Sequence, residues 1–331
     1  MPISFPGLFG DWAINPNPVA IEDIGNGIYW YGIILAIAML AGLFLCMKQA
    51  KNYGLTEDNV MDLVLWAAPL CILGSRAYYV LFNLELYRAE DGSLLWGDII
   101  AIWDGGLAIY GTVIVGVLVV FLFSRAKRLK FSAFTDLAVL GLLTGQIIGR
   151  WANFINREAF GAETTLPWRM RLWVDYSQYI EVHPTFLYES LWNLVGLLLI
   201  LFVIARGRRF DGENTCFYLL WYGVGRTWIE GLRTDSLYLF DWTLAGEPIR
   251  VSQALSVAMV MVSAAVLFYM LRIRKCTADG LLVNQLAAAA EGAEEAEAKT
   301  ETETAEQAAE ETEASAESAS AEEEAHDGDQ N

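Results

Sequence analysis

The chain has 331 residues, of which 55% are hydrophobic, and its 12 tryptophans add to an unusually apolar composition. This excludes an ordinary soluble domain and indicates a membrane protein. The net charge of −18 is unevenly spread, because residues 276–331 hold 17 acidic residues against one lysine, which leaves a body of charge −2.

Seven segments of the body are long and apolar enough to cross a hydrocarbon core of about 30 Å, which needs about 20 residues per helix. The sequence therefore predicts an all-α integral membrane protein with about seven transmembrane helices. The predicted spans are residues 28–47, 60–83, 104–124, 132–150, 184–205, 214–233 and 251–271.

Lysine and arginine residues gather after the first, third, fifth and seventh spans, and cytoplasmic loops retain such residues. We therefore expect the N-terminus outside the cell and the C-terminus in the cytoplasm. The residues of these four clusters are Lys48, Lys51, Arg125, Lys127, Arg128, Lys130, Arg206, Arg208, Arg209, Arg272, Arg274 and Lys275.

Two regions lie outside the spans. Residues 151–183 are too polar to span a membrane and too long for a tight turn, so we expect a small extracytoplasmic subdomain there, within a membrane domain of residues 1–275. Residues 276–331 carry almost only negative charge and no aromatic residue. We expect a disordered acidic tail, with a transient Ala/Glu helix or a docking arm as alternatives.

Four arginines lie within or at the end of predicted spans: Arg76, Arg150, Arg226 and Arg233. A charge in hydrocarbon costs about 2.5–3.5 kcal/mol on insertion scales, so such residues usually mark function, although snorkelling at a helix end is an alternative. The predicted orientation places all four in the outer half of the membrane, at the level of Tyr31, Gly105, Gly106 and His183.

The sixth span carries four of the candidate residues on one helix face. Tyr222, Arg226 and Glu230 are spaced by four residues, and Arg233 follows three residues later. A structural ion pair between Arg226 and Glu230, or close helix packing at the neighbouring glycines, is the alternative. Neither alternative explains Arg233 on the same face.

The fourth span ends in the sequence GRWANFINREAFG, residues 149–161. It places Arg150, Asn153, Asn156 and Glu158 directly after a hydrophobic run. Arg150 and Asn153 can face one cavity if the helix continues; if it stops, the asparagines are turn formers.

An arginine cluster at the outer headgroup level suits a phosphate, because guanidinium groups bind phosphate oxygens with paired hydrogen bonds. A phospholipid is the natural ligand at that depth, and arginines also stabilise its phosphate as a leaving group. The sequence has no Ser/His/Asp signature, P-loop or Asp-rich magnesium motif, and we expect no metal ion and no cofactor. For His183, a helix start at His183–Pro184 and a catalytic role both stay open.

These motifs resemble those of the prolipoprotein diacylglyceryl transferases. Residues 149–161 are similar to the family signature G-R-x-G-N-F-x-N-x-E-x-x-G and depart from it at Ala152, where glycine is usual. The similarity extends over roughly residues 20–275 through WYG at Trp30, DGGLAIYG at Asp104, HPTFLYE at His183 and YGVGRTWIEGLRTD at Tyr222. Some members have histidine where Tyr110 stands, so no histidine base is available there.

The resemblance implies that a diacylglyceryl group passes from phosphatidylglycerol to the lipobox cysteine of a preprolipoprotein, with release of glycerol phosphate, at the outer face of a bacterial plasma membrane. The expected partners are phosphatidylglycerol, signal peptides with a lipobox cysteine and the lipid bilayer, and not nucleic acid. The implied catalytic residues are Arg150, Arg226, Glu230, Glu158 and His183. The implied substrate-binding residues are Arg150, Asn153, Asn156, Tyr31, Gly161, Tyr222 and Arg233.

In the mechanism that we expect, Arg150 and Arg226 bind the lipid phosphate while Asn153 and Tyr31 orient the headgroup. The two glutamates position the arginines or relay the proton of the acceptor thiol, whose pKa a nearby arginine lowers. The choice between a carboxylate base and His183 stays open.

Three other classes of protein compete with this interpretation. A transporter would place its site near the bilayer midplane in paired repeats, and no internal repeat is apparent. A lipase would need a serine elbow, and a phosphotransferase a metal-binding acidic motif. A pure interaction scaffold gives no reason for arginines inside the membrane.

Overall fold

The computed structural model describes residues 2–22, 27–89, 91–175, 177–234, 238–244, 247–297 and 299–300. The chain divides into a compact unit, Met1–Leu282, and a second unit, Val283–Asn331. Within the described part of the first unit, the long helices are α1 Trp30–Gln49, α2 Glu57–Phe82, α3 Ile109–Ala126, α4 Phe131–Asn156, α5 Thr185–Leu199, α6 Glu213–Leu232 and α7 Val251–Phe268.

Six helical segments of the described residues are long and apolar enough to cross a membrane, which confirms the all-α membrane fold. They are Trp30–Tyr53, Glu57–Phe82, Ile109–Ala126, Phe131–Asn156, Thr185–Gly207 and Val251–Ile273. The remaining helix, α6, has 20 residues and occupies the sixth predicted span, but it carries Glu213, Arg226 and Glu230 and is less apolar than the others.

Two predicted boundaries differ from the structure. The third span was predicted from residue 104, but α3 begins at Ile109, because Gly105 and Gly106 adopt positive φ values of 87° and 64° that end regular structure. The fourth span was predicted to end at residue 150, but α4 continues to Asn156. Arg150, Asn153 and Asn156 therefore all lie on one continuous helix, and the turn-former alternative is wrong.

Small residues bring the helices close together. A Cβ atom added to Gly42 of α1 would lie 2.9 Å from the carbonyl oxygen of Gly141 of α4. On α2, a Cβ atom added to Gly74 would lie 2.3 Å from Cγ2 of Val115 of α3. Such close approach lets apolar helices gain van der Waals contact in a membrane, where the hydrophobic effect does not hold them together.

A four-stranded antiparallel sheet lies at the end of the bundle where α4 stops and α5 starts. Its strand order is β2–β1–β5–β6, with bounds β1 Ile3–Ser4, β2 Ala13–Ile14, β5 Met170–Trp173 and β6 Tyr179–Val182. Two further sheets have two strands each: β3 Val19–Ile21 with β4 Ile28–Tyr29, and β7 Tyr238–Leu244 with β8 Glu247–Arg250.

The sheet packs on the helix ends through its own small core. Ile3, Met170 and Val182 are buried against Phe154 of α4 and Phe186 of α5. The region predicted as a subdomain, residues 151–183, supplies β5 and β6. Residues before the first span, to which the sequence assigned no structure, supply β1 and β2.

At the opposite end of α4, the carboxylate of Asp136 is 0% exposed and joins three segments. Its oxygens accept hydrogen bonds from the backbone N–H groups of Gly212, at 2.8 Å, and Thr215, at 2.9 Å. Nη1 of Arg208 lies 3.5 Å from Oδ2 of Asp136. This network fixes the start of α6, the helix that carries Arg226 at its other end.

The tail begins later than predicted and is partly helical. Leu281 and Leu282 are buried in the first unit, and the backbone N–H of Leu282 donates to Asp211 at 2.9 Å. Residues 282–297 are helical, which was the alternative to disorder for this stretch. The rest of the predicted disordered tail, residues 301–331, lies outside the described residues.

We expect Asp136→Ala to lower the free energy of unfolding by about 3–5 kcal/mol, because it leaves the Arg208 charge and two buried N–H groups without their partner. Thermal unfolding of the purified protein in detergent measures the effect. Asp62→Asn is the matched control: its pair with Lys127 is 44% exposed on both sides and contributes little. Equal stability losses in the two variants would contradict the role of Asp136.

Candidate functional site

The carboxylate of Glu189 lies among three guanidinium groups near the sheet end of the bundle. Its Oε1 atom is 3.1 Å from Nη1 of Arg226 and 3.7 Å from Nη1 of Arg233, and its Oε2 atom pairs with Nη2 of Arg150. Glu189 is only 4% exposed. One buried carboxylate therefore holds together the arginines that the sequence placed at one depth.

Three helices position this cluster. Arg150 lies in the last two turns of α4, Glu189 in the second turn of α5, and Arg226 near the end of α6, with Arg233 directly after that helix. Arg226 also pairs with Glu230, one turn further along α6, at 2.6 Å. Three arginines and two glutamates leave one positive charge in a poorly solvated site, which favours an anion as ligand.

Asn153 connects this cluster to the signature segment. Its Oδ1 atom lies 3.4 Å from Nη1 of Arg150, and its Nδ2 atom donates to Oε1 of Glu158 at 2.8 Å. The side chains of Glu158, Asn153 and Arg150 thus continue the ionic network outwards from Glu189. Arg150 and Asn153 therefore lie on one side of α4, but neither lines the cavity described below, so that they face one cavity stays a prediction.

The loop after α4 is fastened to the starts and ends of the neighbouring helices. Arg157 and Ala159 adopt positive φ values of 55° and 56°. The N–H of Gly161 donates to the carbonyl of His183 at 3.0 Å, and Thr185 Oγ1 donates to the carbonyl of Ala159. A Cβ atom on Gly161 would lie 2.8 Å from Cβ of His183, so glycine is required by this close approach.

His183 lies beside the loop and faces an aromatic pair. Its Nδ1 atom is 3.2 Å from the hydroxyl of Tyr188, which accepts a hydrogen bond from Nε1 of Trp168 at 2.7 Å. Burial lowers the pKa of His183 below its usual value, so the imidazole is neutral at pH 7. Among the described residues, no ion pair joins His183 to the arginine cluster.

Three other predicted substrate-binding residues, Tyr31, Asn156 and Tyr222, take no part in the ion pairs of the cluster. Tyr31 is 38% exposed in the first turn of α1, one turn before Leu35, whose side chain faces Gly149 of α4. Asn156 is the last residue of α4, and none of the described contacts joins it to the arginines. The ring of Tyr222 stacks on Tyr218, with centroids 5.6 Å apart.

A small cavity opens beside Glu189 and Arg226, on the side of the cluster that is deeper in the bundle. Its lining comes from α5 and α6 and consists of Glu189, Trp192, Asn193, Tyr222, Gly225, Arg226 and Ile229. Charged groups lie at its outer end, and aromatic and aliphatic groups line the remainder. The lining therefore changes from ionic at the outer end to aromatic and aliphatic further in.

The sequence matches the family model for prolipoprotein diacylglyceryl transferase over residues 18–269, about three quarters of the chain. This chain belongs to the prolipoprotein diacylglyceryl transferase family. Proteins named phosphatidylglycerol–prolipoprotein diacylglyceryl transferase from three bacteria are similar to it. The Finegoldia magna protein is 40% identical over 243 residues, or 73% of this chain and 91% of the relative.

The other two relatives are similar over a comparable length. The Listeria monocytogenes protein is 39% identical over 260 residues, or 76% of this chain and 89% of the relative. The Streptococcus agalactiae protein is 42% identical over 257 residues, or 76% of this chain and 95% of the relative.

Family membership accounts for the signature segment but not for every arginine at membrane depth. Arg76 is not part of the cluster: its guanidinium donates to the backbone carbonyls of Asp98, Ile99, Gly105 and Gly106. These bonds hold the connection between α2 and α3 in place. Arg76 therefore has a structural role, and its depth alone did not identify a site residue.

Glu189 is the site residue that sequence reasoning missed. Glu189 ends the family block HPTFLYE, in which only His183 was predicted to act. A signal was present, since Glu189 is an acidic residue inside a predicted span, and an unpaired charge there has a high free-energy cost.

Among the described residues, no group of histidine, cysteine and acidic side chains could hold a metal ion.

We expect Gly161→Ala to lower the melting temperature by several degrees, because the new methyl group forces the loop away from His183 and the end of α6. Gly145→Ala is the matched control, since a Cβ atom there meets nothing within 4 Å, and alanine favours the helix by about 1 kcal/mol. Thermal unfolding of both variants tests this, and equal or opposite shifts would contradict the close approach at Gly161.

Proposed function

We propose that this chain transfers the diacylglyceryl group of phosphatidylglycerol to the lipobox cysteine thiol of a preprolipoprotein. The observation that carries the proposal is the cluster of Arg150, Arg226 and Arg233 around the buried carboxylate of Glu189, whose net positive charge suits a lipid phosphate. The names of the relatives support the same reaction.

In the proposed reaction, the cysteine sulfur attacks the terminal carbon of the diacylglycerol that bears the phosphate. A carbon–sulfur bond forms and the carbon–oxygen bond breaks, with its electron pair passing to the phosphate oxygen. Glycerol phosphate leaves, and the product is a thioether. Arg150 and Arg226 contribute by neutralising the charge that develops on the leaving phosphate.

The thiol must lose its proton before it attacks, and the arginines favour the thiolate. We propose a carboxylate as proton acceptor, with Glu158 placed for it, because it lies at the outer end of the network and is bound to Asn153. Glu230 instead keeps Arg226 in position, since its Oε2 atom lies 2.6 Å from Nη2 of Arg226. Gly161 holds the loop that carries Glu158, and we assign Tyr31 and Asn156 to the lipid headgroup.

The proposal includes an orientation in the membrane. The sheet and the cluster lie at the outer face of a bacterial plasma membrane, with the N-terminus outside and the C-terminus in the cytoplasm. The twelve basic residues after alternate spans support this orientation. A secreted lipobox cysteine emerges on the same face.

Incubation of the purified protein with phosphatidylglycerol and a synthetic lipobox peptide tests the reaction directly. We expect the peptide to gain the mass of one diacylglyceryl group, and a peptide with serine in place of the cysteine to gain none. A folded protein that binds the lipid but leaves the cysteine peptide unchanged would contradict the proposed transfer.

We expect Arg226→Lys to lower the transfer rate at least about tenfold, because lysine keeps the charge but cannot bind the phosphate and Glu189 with a planar fork. Arg206→Ala is the control, since Arg206 is exposed at the opposite end of the bundle and contacts the Phe202 ring. A normal rate in a folded Arg226→Lys variant would remove Arg226 from the phosphate site.

The pH dependence of transfer distinguishes the two candidate bases. Burial lowers the pKa of His183, so a histidine base would place the acid limb of kcat/KM below pH 6.5, and His183→Gln would abolish that limb. We expect His183→Gln to keep the acid limb and lose less than about tenfold in rate, whereas Glu158→Gln loses at least about a hundredfold in rate. The reverse result would assign the proton to His183.

A further inference from the structure

Asn193 is a buried polar side chain that the proposed reaction has not used. It lies on α5, four residues after Glu189, is 3% exposed, and lines the cavity beside Tyr222. Among the described residues, no hydrogen bond is made by its side-chain amide, and its neighbours in the cavity wall include Trp192 and Ile229. The amide faces the cavity, where its two N–H groups and its oxygen are available to a ligand.

The depth of Asn193 identifies which part of a ligand it can reach. Because α5 runs inwards from the sheet, Asn193 lies about 6 Å deeper in the bundle than Glu189, at a rise of 1.5 Å per residue. Since α6 runs in the opposite direction, Tyr222 lies equally far below Arg226. The cavity therefore has two tiers, with ionic groups at the outer tier and an amide and a phenol at the inner tier.

A phospholipid has the same two tiers. Its phosphate is outermost, and the two ester carbonyls of the glycerol backbone follow one glycerol length deeper, before the acyl chains. An amide N–H and a phenolic O–H both donate to carbonyl oxygens. Trp192 and Ile229 supply the apolar wall that the first acyl methylenes need.

We propose that Asn193, with Tyr222, binds an ester carbonyl of the donor lipid and makes the site selective for diacyl over dialkyl lipids. This inference rests on the proposed function, because it assumes that the phosphate of the same lipid occupies the arginine cluster. An ether oxygen lies nearer to the glycerol carbon than a carbonyl oxygen does and is a weaker acceptor. A dialkyl lipid therefore leaves the Asn193 amide unsatisfied.

The test compares phosphatidylglycerol with its dialkyl ether analogue, which has the same headgroup and chain lengths. Binding to the detergent-purified protein is measured by competition against a fluorescent phosphatidylglycerol, and transfer to the lipobox peptide is measured by mass. We expect the wild-type protein to bind the diester about fivefold to tenfold more tightly, the worth of one hydrogen bond.

Asn193→Leu keeps the branched shape of the side chain and removes its donor, and we expect it to abolish this preference by weakening diester binding while leaving diether binding unchanged. Asn193→Ala is a second variant in case leucine disturbs packing. Leu191→Ala, at a residue that is 51% exposed on the same helix, is the control and should keep the preference.

Loss of the preference in the Asn193 variants alone supports the inference, and equal affinities in the wild type, or an unchanged preference in both variants, overturns it. The binding measurement separates this from the proposed function. If the wild type prefers the diester in binding but transfers nothing to the peptide, the transfer proposal fails while the lipid contact of Asn193 stands.

Discussion

Positive charges at the same depth of a membrane bundle repel one another strongly, because little water is present to screen them. Here the repulsion among Arg150, Arg226 and Arg233 is offset by the carboxylate of Glu189, which contacts all three. The ends of α4, α5 and α6 meet around this group. The arrangement of the cavity, the signature loop and the outer sheet follows from that meeting.

The same carboxylate shapes how the site can receive a ligand. The arginines pair with Glu189 and Glu230, so carboxylates of the protein itself hold them in place. A phosphate adds negative charge to a cluster with one positive charge to spare, and it does not have to displace both carboxylates. Charges that are positioned in this way reduce the reorganisation that charge stabilisation would otherwise require.

Much of this organisation could be predicted from the sequence, and the reasons are physical. Spans are set by length and hydropathy, and Arg226 and Glu230 share a helix face through their spacing of four. The sheet was not predictable, because β1 and β2 have two residues each and β1 pairs with β5, which comes after four long helices in the chain. Nor could depth separate Arg76 from Arg226. Arg76 binds backbone carbonyls and Arg226 binds carboxylates, and these partners are known only from the tertiary structure.

The roles of Glu189 and Asn193 in the site also could not be predicted from the sequence. Each is a single polar residue in an apolar run, and the sequence does not show which neighbouring helix faces it. Their spacing of four residues places them on one face of α5. Only the packing of α5 against α4 and α6 reveals that this face is the wall of the cavity.

The pairing of Ile3 with Leu172 in the outer sheet has a consequence for assembly. Strand β1 can pair with β5 only after the four long helices between them and residues up to 172 have been synthesised. Until then the apolar side of β1 has no core to enter, because Met170, Val182 and Phe186 come later in the chain. Closure of the sheet is therefore a late folding event.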